Sequence, residues 1–139
     1  MKRIKFIALL LAFSFMFSPL ALCERPVRLK KMLSELTRPR NTSLRKLELV
    51  NKYKGEIVKG VGRVKDVVKS YGIEGEAMVY LKKHYRSKEY EIVLVVPEES
   101  VEKIKKGTSL TFEGNFAGMT YHTLRFKNVD IITKPWWHF

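Results

Sequence analysis

A basic, helix-rich opening stretch gives way after Gly55 to β-branched and alternating segments, and a short acid-to-base helix sits among those strands. This order predicts a mainly β chain. The first strand is long and interrupted by Gly60 and Gly62, and the short helix falls between the third and fourth strands. Three strands, a helix and two more strands is the connectivity of a five-stranded Greek-key barrel of the OB type, here with an N-terminal helical extension. An SH3-like barrel or another small β-roll is the competing architecture.

The chain reads as three parts: 1–23 a targeting segment, 24–54 a basic helical extension, and 55–139 the barrel domain. Met1-Lys2-Arg3-Ile4-Lys5 is basic, Phe6 to Phe17 is apolar except for Ser14, and Ser18-Pro19 ends any helix before Cys23. Basic start, short apolar centre and small residues before a polar flank describe a secretory signal peptide. The apolar run is shorter than the roughly 20 residues a spanning helix needs. Ala21 and Cys23 fit ordinary cleavage after Cys23. Leu20-Ala21-Leu22-Cys23 also resembles a lipobox that would lipidate Cys23, although Leu22 is bulkier than that pattern's usual residue. The expected location is the periplasm or cell envelope. Cys23 is the only cysteine, which excludes an internal disulfide and a cysteine-based zinc site.

In the extension, Val27, Leu29, Met32, Leu33 and Leu36 form one helical stripe, and Leu44, Leu47 and Val50 form a second after a Thr42 or Ser43 cap. These stripes either pack onto the barrel or belong to an arm that orders on a partner. Glu56–Lys69 is the first strand, and Ser70-Tyr71-Gly72 a turn. In Glu76–Lys83, Ala77, Val79 and Leu81 alternate with Met78, Tyr80 and Lys82. Arg86-Ser87-Lys88 is turn-like, and Tyr90–Val96 is a strongly apolar strand. Pro97 and the following acids open a helix that Gly107 stops. Thr108–Gly114 is the fourth strand, Asn115–Thr120 a turn, and His122–Thr133 the last strand.

Two stretches are more specific. Asn51-Lys52-Tyr53-Lys54-Gly55-Glu56-Ile57-Val58 leads into Gly60-Val61-Gly62-Arg63-Val64, and Val101–Gly114 carries a Lys106-Gly107 turn before its strand. With Leu124–Ile132, they resemble the tRNA-anti-like family of bacterial OB proteins over roughly Leu44–Ile132. The resemblance implies an OB barrel without shared catalytic residues. The family name reflects likeness to tRNA-anticodon-binding domains, and export argues against a role in translation.

The whole 139-residue chain has 27 Lys and Arg against 14 Asp and Glu, net +13. Without residues 1–23 the net charge is +10, of which +7 lies in 24–54 and +3 in 55–139. Such a balance favours anionic partners. An OB groove for single-stranded nucleic acid needs cations for phosphates and flat rings for bases. Strand alternation turns Arg63, Lys65, Tyr80, Lys82, Arg125 and Lys127 away from the core, and places Tyr85 and Tyr121 near strand ends. These eight are the candidate ligand-binding residues, for single-stranded nucleic acid or another acidic polymer.

The competing function is a protein-interaction or structural module of the envelope. The basic extension also suits peripheral contact with anionic membrane, at about 1 kcal/mol per Lys or Arg. No enzyme is expected: Asp66, Glu74, Glu76, Arg63 and Arg86 offer nuclease residue types without a motif. His84, His122 and His138 are too far apart for a zinc motif, and no cofactor is expected. Trp136-Trp137-His138-Phe139 is expected to cap a barrel end.

Overall fold

The computed structural model describes residues 25–70 and 73–132. The targeting segment, Tyr71-Gly72 and the Trp136–Phe139 tail lie outside them. The elements are β1 (Val27–Arg28), α1 (Leu29–Leu36), α2 (Ser43–Tyr53), β2 (Ile57–Lys69), β3 (Glu76–Tyr85), β4 (Lys88–Pro97), a 3-10 turn (Glu98–Val101), β5 (Ser109–Thr120) and β6 (Thr123–Ile132).

β2 to β6 close into a barrel because β2 is shared. Its first half pairs antiparallel with β5, from Ile57↔Asn115 to Arg63↔Ser109, and its second half with β3, from Arg63↔Lys82 to Lys69↔Ala77. β3–β4 and β5–β6 are antiparallel hairpins, and β4 meets β6 in parallel over Glu91–Leu94. This is the OB barrel that the sequence predicts.

Period-two alternation fills the interior. Ala77, Val79 and Leu81 of β3 meet Ile92, Leu94 and Val96 of β4, all buried, with Phe112, Phe116 and Phe126 from β5 and β6. The Phe112 and Phe126 rings meet edge to face with centroids 5.1 Å apart, a favoured aromatic geometry. At two positions in β2 only glycine fits. A Cβ on Gly60 would come within 2.7 Å of the Leu29 side chain, and one on Gly62 within 2.9 Å of Leu81 Cβ. The expected bend at these glycines is therefore close packing, and the register shift falls later, between Val64 and Asp66.

The extension packs into the same core. Leu29, Met32, Leu33 and Leu36 of α1 are buried, as are Leu49, Val50 and Tyr53 of α2. Val27 joins the short β1 strand, parallel to β2 at Val58, and so precedes the helix whose stripe it was expected to share. Thr42 is the cap of α2, its side chain accepting from the Arg45 backbone amide. The Tyr53 hydroxyl donates to the Glu35 carboxylate and ties α2 to α1.

Three further sequence expectations change. Leu44 and Leu47 are 66% and 57% exposed, because helical geometry turns Leu49, Val50 and Tyr53 inward together. Asn115–Thr120 is not a turn but the second half of β5. Phe116 is fully buried there, register shifts absorb Gly118, and the chain reverses at Tyr121-His122. The helix after Pro97 shrinks to the four-residue 3-10 turn.

Candidate nucleic-acid interface

A barrel has only one inside, so the outward residues of β2, β3, β4 and β6 share a face, and register arranges them in rows. One row is Asp66, Tyr80, Val93 and Arg125; a second is Val68, Met78 and Val95; a third is Arg63, Lys82, Glu91 and Thr123. Adjacent strands lie about 4.8 Å apart, so Arg125 stands roughly 10 Å across from Tyr80 with Val93 between them. Tyr80, Met78, Val68, Val93 and Val95 are half-buried. The centre of the face is therefore apolar with one aromatic ring, and cations stand at its margins.

The cations are not equivalent. Lys65 Nζ lies 3.3 Å from Glu91 Oε2, and Lys82 Nζ lies 3.7 Å from Glu89 Oε1. Asp66 is also paired, with Lys106 at 3.5 Å. Such exposed pairs add at most about 1 kcal/mol of stability, but they halve the free charge offered to a ligand. Among the described residues, Arg63, Arg125 and Lys127 make no ion pair.

The face brings together Arg63, Lys65, Tyr80, Lys82 and Arg125 from the eight predicted positions. Tyr121 is 89% exposed in the β5–β6 turn, beside His122, which lines a small cavity with Lys65, Lys82 and Glu91. Tyr85 lies elsewhere, half-buried against the core with the Arg86 guanidinium 5.3 Å from its ring centroid. Lys127 is exposed on β6 opposite Asn115, on the β5 side and away from Tyr80. Sequence reading put Met78 on the same side of its strand as Tyr80 and Lys82 but missed Val93 and Val95 as parts of this face. The signal was present: Ile92–Val96 is apolar throughout, yet only every second residue can enter a barrel.

Among the described residues no cluster of side chains is suited to a metal ion, and no helix is long and apolar enough to cross a membrane.

Neither a family profile nor a curated protein sequence matches the chain. Solved structures do. A Klebsiella pneumoniae chain provisionally assigned as a nucleic acid-binding lipoprotein superposes with TM-score 0.56 at 15% identity, covering 84% of this chain and 98% of that one. A Leishmania major chain provisionally assigned as an aspartyl-tRNA synthetase gives TM-score 0.42 at 16% identity, over 81% of this chain and 21% of that one. An asparaginyl-tRNA synthetase from Entamoeba histolytica gives 0.38 at 17% identity, over 59% and 22%. The Klebsiella likeness supports the barrel architecture over 84% of this chain.

Proposed function

We propose that this protein is a non-enzymatic OB module of the bacterial cell envelope that binds single-stranded nucleic acid on its β3–β4–β6 face. The observation that carries the reading is the row Tyr80–Val93–Arg125, a ring and a guanidinium without an ion pair among the described residues, across an apolar floor. Bases stack on such a ring at about 1–3 kcal/mol each, and the guanidinium meets phosphate. The Klebsiella neighbour's provisional assignment as nucleic acid-binding supports the partner class, and its description as a lipoprotein supports an envelope address. The tRNA-anti-like resemblance and the signal-like residues 1–23, with cleavage after Cys23 or lipidation at it, belong to the same reading.

A second reading has its own support. The Lys65–Glu91 and Lys82–Glu89 pairs neutralise one corner of the face, and Met78, Val93 and Val95 suit a protein partner. Fluorescence anisotropy with labelled single-stranded RNA and DNA, a duplex and a non-nucleic polyanion separates the two. Single-strand binding that persists at moderate salt and weakens at least tenfold in Tyr80→Ala supports the groove. Equal binding to every polyanion, lost with salt, rejects it in favour of the protein-docking reading.

A further inference from the structure

The cavity at the corner of the face, about 300 Å³ in volume, is lined by Lys65, Lys82, Glu89, Tyr90, Glu91 and His122. Its walls are fixed from several elements. The Glu91 backbone amide donates to the His122 carbonyl oxygen at 2.9 Å, which holds the β5–β6 turn against β4. The exposed His122 ring meets the buried Tyr90 ring edge-on, with centroids 5.5 Å apart. Two ion pairs share the cavity: Lys65 Nζ with Glu91 Oε2 at 3.3 Å, and Lys82 Nζ with Glu89 Oε1 at 3.7 Å. Two ammoniums against two carboxylates leave no net charge, so a phosphate has little to gain here. What the pairs do offer is a donor beside an acceptor. An ammonium has three N–H bonds and a carboxylate about four acceptor positions, so each pair keeps capacity for a ligand.

Such a set suits a neutral group that itself presents donors next to an acceptor. Among the common bases only guanine does so with two adjacent donors, N1–H and the 2-amino group, beside the acceptor O6. In single strands that edge is free to be read, and rings such as histidine pack on the base. We infer that this cavity is a guanine subsite of the single-strand face. The Glu91 carboxylate accepts from N1–H and the 2-amino group, the Lys65 ammonium donates to O6, and His122 supplies the ring. The inference rests on the nucleic-acid reading above and gives it a base preference. Lys82 lies two residues beyond Tyr80 on β3, and Glu91 two residues before Val93 on β4. That is about 7 Å along the strands, the reach of one nucleotide from a base stacked on Tyr80.

The test is fluorescence anisotropy of the purified protein with a short labelled oligouridylate, unmodified or carrying one central guanosine, adenosine, cytidine or inosine. Guanosine should tighten binding about tenfold, the scale of a bidentate base contact. Inosine keeps N1–H and O6 but lacks the 2-amino group, and should recover only part of that gain. Glu91→Gln should erase the guanosine preference while oligouridylate binds as well as before or better, since a negative charge leaves the face. A merely structural Glu91 would instead weaken every oligonucleotide alike. Oligouridylate binding without a guanosine preference, or a preference that survives Glu91→Gln, overturns the subsite and leaves the nucleic-acid reading standing. No binding of any oligonucleotide removes both.

Discussion

The two ends of the barrel are closed in different ways. Where β2 begins and β3 ends, α1 sets Leu29, Met32, Leu33 and Leu36 into the core, and α2 adds Leu49, Val50 and Tyr53. At the other end the chain offers only the Glu98–Val101 3-10 turn, with Val101 and Ile104 half-buried. Beside that turn lies a groove of about 860 Å³, whose apolar floor includes Ile104, Leu110, Val129 and Ile131. The helices of the extension thus do at one end what a full helix between the third and fourth strands would do at the other. Charge follows the same division: the sealed end carries Lys30 and Lys83, which make no ion pair among the described residues, and the groove end carries Glu99, Glu102 and Asp130 with Lys103.

The comparison breaks most directly by truncating one side chain at each end. Leu33→Ala leaves a cavity under the sealed end and should cost about 2–5 kcal/mol. Ile104→Ala, beside open solvent, should cost about 1 kcal/mol or less. Urea melts of the two variants measure the difference, and equal losses would mean that α1 is not part of the cooperative unit. Next in size is Gly60→Ala. Its new Cβ meets Leu29 Cδ2 at 2.7 Å and Cβ at 2.8 Å, so α1 must lift or the strand must shift, at about 1–3 kcal/mol. A second truncation, Leu29→Ala, should recover part of that loss in a double-mutant cycle.

The sealed end also has a pH signature. Burial pushes the Tyr53 phenol from 10.0 up to about 12, helped by its hydrogen bond to Glu35 and by the Glu35 charge. A raised phenol value means that the folded state keeps a proton which the unfolded state sheds. The stabilisation is complete below pH 10 and is lost as pH rises from about 10 to about 12, by about 3 kcal/mol. Tyr53→Phe should flatten that alkaline limb, at a cost of about 1 kcal/mol at neutral pH from the lost hydrogen bond. Chemical melts across that range, in parent and variant, show whether the limb belongs to Tyr53.

How much of this was legible in the sequence follows from which forces are local. β3 was read correctly because a one-sided strand must alternate, and Ala77-Met78-Val79-Tyr80-Leu81-Lys82 does. The second half of β5 was misread because Asn115 and Gly118 carry turn chemistry. What overrides them is burial of Phe116 against Phe126, a contact ten residues away in sequence. For α2 the spacing suggested the stripe Leu44, Leu47 and Val50, and only the barrel beneath it decides for Leu49, Val50 and Tyr53 over Leu44 and Leu47. The candidate cations were legible by parity. Their ion pairs were not, since Lys65 meets Glu91 from β2 to β4, a matter of register. The meeting of Lys83 with Lys30 depends on where α1 docks, which no local pattern encodes.

That last pair gives the smallest expected effect. Lys83 sits in a row whose other members are apolar, and its ammonium is disfavoured by burial and by Lys30. A depressed lysine value means that the unfolded chain holds a proton more tightly than the folded one. Stability from this group therefore rises with pH through the window between the depressed value and 10.5. Lys83→Met keeps the stem and removes the charge, so at neutral pH it should leave stability unchanged or raise it by less than about 1 kcal/mol. Thermal melts of the unliganded proteins read the shift. A gain would mean that the ammonium is held at a small cost to the fold. A loss of stability would mean that the ammonium already has a partner within the protein, and the contrast between the two barrel ends would then be one of packing alone.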